Sequence, residues 1–330
     1  MIDKLINQKF TDYIMSKNDS EIILKPQISI GLPVYNGEKL LRKSLDSILS
    51  QTFSDFELII SDNASSDLTP DICEEYLKCD KRIRYVRQKK NLGIHGNYFF
   101  LVNEAKCKYF LWVASDDYLD PNYLDENLKI LIKNENIVSS VGKVKPFGPK
   151  DIGLDPSTIE TAQYPKFLQQ YIRKNRRRKM LDTDPVFGSL DKKIRIFLKV
   201  TKSLRRWYGI HRTEQLRQCI IHKPFINVEV SIFLNLLKLG DFHECNNTFL
   251  HEFDEGISSR GVINAAKVSQ HNFFGILFPF HPFNFWCLKN LGLKQVLKNL
   301  DTLLLLNLGG EFALAVDLFL KLKQFFSKKY

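Results

Sequence analysis

The 330-residue sequence contains no apolar run long enough to cross a membrane and no apolar secretion signal. A membrane-spanning helix needs about 18 or more consecutive apolar residues, and no stretch reaches that length. The first 27 residues mix charged with apolar side chains, whereas a signal peptide needs an unbroken apolar segment. We therefore expect a protein that is made and works on the cytoplasmic side of the membrane.

Two glycine-rich phosphate-binding motifs are also missing. No Gly-x-Gly-x-x-Gly follows the first predicted strand, and no Gly-Lys-Ser/Thr of a Walker loop occurs. Both motifs hold phosphates with backbone N–H groups. Their absence argues against a dinucleotide dehydrogenase. It leaves a metal ion held by carboxylates as the natural way to bind the phosphates of a nucleotide.

The six cysteines show neither a Cys-x-x-Cys spacing nor a metal-ligand spacing with histidine. This pattern favours reduced thiols in a cytosolic protein over a disulfide framework or a zinc site.

The charge is strongly basic, with 48 Lys and Arg against 37 Asp and Glu. Basic residues concentrate at 173–179 and at 192–217. Such a balance favours an anionic partner: nucleic acid, an anionic membrane surface or a phosphorylated substrate. Because no aromatic residues alternate with these charges in a recognisable module, we expect no nucleic-acid partner. An exposed helix face or loop is the simplest explanation of the 173–179 run.

Predicted strands and helices alternate through the first 145 residues. Strands are predicted at 28–35, 57–60, 83–86, 109–113 and 137–144. Helices are predicted at 38–51 and at 121–134. Two more are predicted between them, one that begins at residue 69 and one that ends at about residue 105. Alternation of this kind predicts an α/β fold: a Rossmann-like, mostly parallel sheet with helices on both faces.

Each of the first four strands is followed by polar side chains: Asn36, then Asp62 with Asn63, then Asn91, then Asp116 with Asp117. The carboxyl ends of parallel strands meet at one edge, where α/β sheets bind ligands. Adjacent carboxylates there suit Mg²⁺ or Mn²⁺. The alternative is that Asp117 caps the next helix and Asp116 is merely exposed.

Four motifs, at 33–38, 61–67, 91–93 and 112–117, resemble those of glycosyltransferase family 2 in order and spacing. The resemblance covers residues 27–145. It implies the A-type glycosyltransferase fold, a nucleotide-diphosphate sugar donor and a divalent cation, Mg²⁺ or Mn²⁺.

The same resemblance implies roles for individual residues. Pro33, Tyr35 and Glu38 would line the base and ribose end of the donor, Asp62 would bind the nucleoside, and Asp116 would bind the metal. The full donor set is Pro33, Tyr35, Asn36, Glu38, Asp62, Asn63, Asn91, Gly93, Asp117 and Arg212. One departure stands out, because Ala114 replaces the first acid of the family's Asp-x-Asp. The metal site then keeps Asp116, with Asp117 in support.

A carboxylate must take the proton of the acceptor hydroxyl in an inverting transfer. Glu229, at the start of a predicted helix, occupies the position where related sequences carry an acid. Its alternative role is to compensate the charge of the helix N-terminus. Asp241, Glu252, Asp254 and Glu255 are competing candidates. His251, in the same late segment, either touches a phosphate or has no role.

The later half of the chain is less regular. We divide the sequence into a lead-in (1–26), a nucleotide-sugar-binding part (27–145), an acceptor-side part (146–262) and a helical, aromatic-rich C-terminal extension (263–330). Prolines and glycines after residue 146 predict a loop. The extension either packs against the catalytic domain or lies at a membrane interface.

The leading hypothesis is an inverting, metal-assisted glycosyltransferase of surface polysaccharide or glycolipid biosynthesis. Its acceptor would be a saccharide or a polyprenyl-linked molecule, and the enzyme would attach peripherally to the cytoplasmic membrane face. One alternative is a nucleotide-sugar-binding protein that has lost catalysis, for which Ala114 is the sequence support. The other is a basic nucleic-acid-binding protein.

Overall fold

The computed structural model describes residues 26–154, 185–199, 204–223, 225–254 and 281–327. The basic run at 173–179, the aromatic stretch before residue 281 and the candidate base Glu255 lie outside the described residues. Within the described part, no helix combines the length and the apolar character needed to cross a membrane.

The described elements are eight strands and ten α-helices. The strands are β1 (Ile28–Val34), β2 (Phe56–Asp62), β3 (Ile83–Arg87), β4 (Tyr109–Trp112), β5 (Tyr118–Leu119), β6 (Ile137–Phe147), β7 (Ile210–Arg212) and β8 (Asp241–Phe253). The helices are α1 (Leu41–Leu49), α2 (Thr69–Cys79), α3 (Gly93–Glu104), α4 (Tyr123–Lys133), α5 (Leu190–Lys199), α6 (Thr213–Cys219), α7 (Val228–Leu239), α8 (His281–Leu291), α9 (Leu293–Lys298) and α10 (Leu300–Ser327).

All eight strands form one sheet in the order β3-β2-β1-β4-β7-β6-β8-β5. β1, β2, β3, β4, β6 and β8 run in one direction, while β7 and β5 pair antiparallel to their neighbours. The predicted mostly parallel sheet is therefore confirmed. The strand order reverses between β1 and β4, which creates the crevice where open α/β sheets bind ligands.

Apolar side chains on alternate strand positions separate into two cores, one on each face of the sheet. In β4, Phe110 and Trp112 belong to the core that α3, α6 and α7 cover. Tyr109 and Leu111 point to the opposite core, beneath α1, α2 and α4. Every residue of β1 and β4 is buried. Burial on both faces explains why these strands read as continuous apolar runs in the sequence.

The second half of the chain adds strands to the same sheet. β6 continues through the predicted boundary at residues 145 and 146 and ends at Phe147, where a loop was predicted. β7 lies between β4 and β6, and the 13-residue β8 pairs along β6. The sequence did not predict β8, because register shifts against β6 interrupt its alternation of apolar and polar residues.

Candidate functional site

The loops after β1 and β4 lie against each other at the point where the strand order reverses. Gly37 shows how close they come, because a Cβ atom there would lie 2.7 Å from Cγ2 of Val34 and 3.4 Å from Oγ of Ser115. The loop that carries Tyr35, Asn36 and Glu38 is therefore adjacent to Asp116. A ligand in the crevice would contact both loops.

Reciprocal hydrogen bonds join the loop after β1 to the loop after β2. The Asn36 N–H donates to Oγ of Ser65 (2.9 Å), and Oδ1 of Asn36 accepts from the Ser66 N–H (2.9 Å). Oε2 of Glu38 accepts from the Leu68 N–H (3.1 Å). Asn36 adopts a φ of 51°, in the left-handed region that asparagine tolerates better than most residues. Asn36 and Glu38 thus fix the shape of the crevice wall.

Asp62 is completely buried at the end of β2. Its Oδ1 accepts from the Ser65 N–H (2.8 Å), and its Oδ2 accepts from the Tyr85 hydroxyl (2.9 Å). Arg87 approaches the same carboxylate at 3.7 Å. Burial and the bond to Asp62 raise the pKa of Tyr85. The carboxylate therefore anchors the 62–65 turn from inside.

The predicted residues after β2 and β3 also meet. Nδ2 of Asn63 donates to Oδ1 of Asn91 (3.0 Å) and to the Gly93 carbonyl (3.2 Å), and Oδ1 of Asn63 accepts from the Leu92 N–H (2.7 Å). Gly93 opens α3 with a φ of 74°, a conformation that favours glycine. These contacts bring the β2 and β3 loops to the same edge of the sheet.

The first strand contributes an exposed aromatic ring to this edge. Pro33 is the next-to-last residue of β1, and Tyr35 follows the strand with 45% of its surface exposed. An exposed ring beside polar groups can stack on a planar ligand such as a nucleobase.

Asp116 and Asp117 follow β4 but differ in environment. Asp116 is half-buried, whereas Asp117 is almost fully buried and its Oδ1 accepts from the Phe253 N–H (2.8 Å). Burial and the nearby charges of Asp116 and Glu252 raise the pKa of Asp117 well above its usual range. Its Oδ2 makes no hydrogen bond of ordinary geometry with the described residues. The helix-cap alternative gains no support, because α4 begins only at Tyr123.

These carboxylates fit a divalent cation that is shared with a ligand. Among the described residues, no group of three His, Cys, Asp or Glu side chains is arranged to hold a metal alone. Mg²⁺, however, is normally held by one or two carboxylates together with substrate phosphates and water. The half-buried Asp116 and the buried Asp117 supply two such carboxylates.

Glu229 lies in the first turn of α7, a helix that begins after Asn227 takes a left-handed φ of 69°. Its Oε1 is 2.9 Å from Nε2 of His95, near the start of α3. Tyr98, one turn after His95, packs against the end of β4: its ring centroid is 6.2 Å from that of Trp112, and Nε1 of Trp112 donates to the Tyr98 carbonyl (3.0 Å). Burial and the charges of Asp116, Asp117 and Glu229 raise the pKa of Tyr98. α3 therefore links Glu229, through His95, to the end of β4 that precedes Asp116.

The competing carboxylates differ in their position along the sheet. Asp241 begins β8 at the opposite edge, where Lys193 pairs with it at 3.1 Å. Glu252 lies at the other end of β8, where its charge acts on Asp117. Asp254 directly follows the strand. Asp241 is thus too far along the strand to serve the crevice, and Glu252 stays a candidate near it.

Arg212, which the sequence assigned to the donor site, lies apart from the other predicted donor residues. Arg212 is the last residue of β7, which runs antiparallel to β4. It therefore pairs with Tyr109, the first residue of β4. Its guanidinium donates to the carbonyls of Leu131 (2.7 Å) and Ile137 (3.0 Å). Arg212 therefore stabilises the amino edge of the sheet, opposite Asp116.

Several other basic residues predicted to face an anionic partner also bind within the protein. Lys193 donates to the Gly240 carbonyl (2.8 Å), and Arg195 pairs with Asp301. His251 lies 2.8 Å from Oδ1 of Asp120 and stacks on Tyr118, so both residues hold its ring in place.

Sequence reasoning missed His95, Tyr98 and Tyr85. His95 and Tyr98 follow the 91–93 motif within one helix. Their short distance in sequence from that motif is the signal that could have placed them near the crevice. Nothing in the sequence indicated that His95 meets Glu229, because the two residues are 134 positions apart.

A sequence model of glycosyl transferase family 2 matches residues 29–195. Glycosyltransferase GlyA of Streptococcus pneumoniae is 32% identical over 112 residues, which cover 34% of this chain and 16% of that protein. An uncharacterized glycosyltransferase of Haemophilus influenzae is 30% identical over 136 residues, covering 41% and 42% of the two chains. The chain spans less than half the length of each of these curated relatives.

A comparison of folds matches the crystal structure of S. aureus TarS 1–349. The TM-score is 0.52 at 19% identity, over 83% of this chain and 68% of that one. The same protein in complex with UDP-GlcNAc gives a TM-score of 0.52 at 18% identity, over 83% and 69% of the chains. At this identity the match establishes a shared fold.

Proposed function

The chain belongs to glycosyl transferase family 2, and we propose from this that it is an inverting, metal-assisted glycosyltransferase. Its donor is a nucleotide-diphosphate sugar, and its acceptor is the hydroxyl group of a saccharide or of a polyprenyl-linked molecule. The product would enter a surface polysaccharide or glycolipid. The observation that carries the proposal is the position of α3, which contacts Glu229 through His95 and packs on Trp112, the last residue of β4 before the loop of Asp116 and Asp117.

The donor's nucleoside would occupy the crevice wall that the loops after β1 and β2 build. Tyr35 offers an exposed ring for the base, and Asn36 and Glu38 hold the wall in shape. TarS, which shares the fold, has been crystallised with UDP-GlcNAc. We extend from it only the class of donor, a nucleoside diphosphate joined to a sugar.

Asp116, with Asp117 in support, would hold a divalent cation at the diphosphate. When bound, the cation supplies positive charge that stabilises the negative charge developing on the leaving nucleoside diphosphate. The buried Asp117 carboxyl is held in place by the Phe253 N–H. Because Ala114 removes one acid from the usual pair, we expect weak binding of free Mg²⁺ or Mn²⁺ and tighter binding when the donor is present.

Glu229 would act as the general base. One of its oxygens takes the proton of the acceptor hydroxyl as the acceptor oxygen bonds to the anomeric carbon. The bond from that carbon to the phosphate oxygen breaks on the opposite face, and its electron pair leaves with the nucleoside diphosphate. Attack opposite the leaving group inverts the anomeric configuration. Glu252 is the competing base, from the end of β8.

Replacing Asp62 with alanine is expected to weaken donor binding about tenfold to a hundredfold, if the carboxylate binds the nucleoside. A hydrogen bond to a charged group contributes about 1.5–3 kcal/mol. The variant is also expected to lose stability, because the Ser65 N–H and the Tyr85 hydroxyl lose their acceptor. Titration calorimetry with nucleotide-sugars measures the first effect and thermal unfolding the second.

Tyr85→Phe is the matched control, because it removes only the hydroxyl group that donates to Asp62. It should lose part of the stability and keep donor affinity. An Asp62→Ala protein that unfolds at a lower temperature yet binds every nucleotide-sugar like the parent would limit Asp62 to a structural role.

The functional division of the chain follows from these assignments. We propose that residues 27–145 bind the donor and that residues 146–262 supply the acceptor side, through Glu229 and the end of β8. The two parts share one sheet, so the division concerns function and not separate folding.

The C-terminal helices support a peripheral attachment to an anionic membrane on the cytoplasmic side. A large share of the exposed apolar side chains lies on α8 to α10, among them Leu305 (70% exposed) and Phe312 (72% exposed). Lys289 and Lys294 are exposed on the same helices. Apolar side chains near lysines suit the headgroup region of a bilayer.

We expect the protein to float with anionic vesicles at low salt, with binding weakened but not abolished at high salt. Each basic residue near such a surface contributes about 1 kcal/mol, which salt screens, whereas apolar insertion resists salt. Leu305→Ser with Phe312→Ser should remove the salt-resistant part.

The matched control for this experiment is Ile132→Ser, which replaces an exposed apolar residue (56%) on α4. It should float like the parent. If the parent fails to float with anionic vesicles at low salt, the attachment proposal fails and a soluble acceptor is favoured.

A nucleotide-sugar-binding protein without catalysis is the competing function, and Ala114 is the observation that favours it. Metal-dependent release of nucleoside diphosphate separates the two functions. A binding protein would bind the donor but would release no nucleoside diphosphate from it. For nucleic-acid binding, the basic side chains that bind internally within 192–217 offer little support.

A further inference from the structure

His95 and Glu229 join α3 to the start of α7. Nε2 of His95 is 2.9 Å from Oε1 of Glu229, and the side chains are 11% and 29% exposed. The His95 ring also packs near Phe99, with ring centroids 5.9 Å apart. A largely buried ring has few orientations, so it presents Nε2 to the carboxylate in a fixed direction.

Both residues lie where chemistry is proposed. α3 begins after β3, and α7 runs back toward β8, so the N-termini of both helices lie at the carboxyl edge of the parallel strands. Tyr98, one turn further along α3, packs against Trp112 at the end of β4, four residues before Asp116. The contact is therefore part of the crevice and not of a remote surface.

We propose that His95 is a positioning residue for Glu229, an inference that rests on the proposed role of Glu229 as the base. With the proton on Nε2, His95 donates to Oε1 of Glu229. The bond fixes the carboxylate and leaves its second oxygen, Oε2, for the acceptor hydroxyl.

His95→Ala is expected to reduce kcat about tenfold to a hundredfold while the KM for the donor changes little, because a displaced base loses rate and not donor affinity. His95→Gln retains an N–H donor and should recover most of kcat. His222→Ala, an exposed histidine, is the matched control.

A structural role for His95 would give a different pattern: a lower melting temperature, with kcat of the folded protein unchanged. A double-variant cycle with His95→Ala and Glu229→Ala tests the contact without an activity assay. The two melting-temperature changes should not add, because each single variant already breaks the same bond. Additive changes would overturn the inference.

The activity results separate this inference from the proposed function. If Glu229→Gln keeps the parent's turnover, the base assignment fails and the role of His95 fails with it. If Glu229→Gln is inactive while His95→Ala keeps kcat, the proposed function stands and the His95 inference is overturned.

Discussion

The Asp116→Asn variant is expected to lose sugar transfer by about 10²–10³-fold or more while remaining folded. The amide keeps the shape of the side chain but removes the charge that faces the cation. Loss of one preorganised electrostatic contact to the developing charge typically costs that much in kcat. Because Asp116 is only half-buried after β4, the fold should tolerate the change. Transfer should be measured at saturating Mn²⁺, with circular dichroism to verify the fold.

Asp71→Asn provides the matched control, because it removes an exposed carboxylate in the first turn of α2. It should transfer sugar like the parent. Parent-like activity of Asp116→Asn at saturating Mn²⁺ would eliminate the metal assignment.

The Glu229→Gln variant is expected to lose about 10²–10⁴-fold in kcat, the usual contribution of a general base. Donor affinity should stay near that of the parent, because the base acts on the proton of the acceptor. The amide can still meet His95 across the 2.9 Å contact, so the start of α7 should keep its position. Steady-state kinetics with calorimetric donor binding measures both quantities.

Glu135→Gln, an exposed change in the loop between α4 and β6, is the control. A loss of less than about tenfold in Glu229→Gln would point to another base, with Glu252 tested next.

Much of the donor half could be predicted because its elements follow local rules. β1 and β4 are buried on both faces and therefore appear as apolar runs, and Pro70 lies in the first turn of α2 where proline is favoured. Polar residues directly after such strands reach one edge through topology alone. For this reason the sequence indicated Asn63 and Asn91 as neighbours, which the structure confirms.

The later half could not be predicted in the same way because its contacts are distant in sequence. Arg212 resembled a donor residue, yet the antiparallel direction of β7 puts it at the far edge, and no local pattern reports strand direction. The contact of His95 with Glu229 depends on how α7 packs beside α3. The internal bonding of Asp62 by Tyr85 likewise depends on the pairing of β2 with β3.

The most direct test of the central claim is a thermal-unfolding screen with UDP-, GDP- and TDP-sugars, with and without Mn²⁺. Binding to the folded state stabilises by about 2.7 kcal/mol when the ligand is at a hundred times its Kd. The account predicts that at least one donor raises the Tm of the parent in the presence of Mn²⁺, and that Asp116→Asn loses this increase. An equal increase in Asp116→Asn, or no increase with any donor and Mn²⁺, would contradict a donor site built on Asp116.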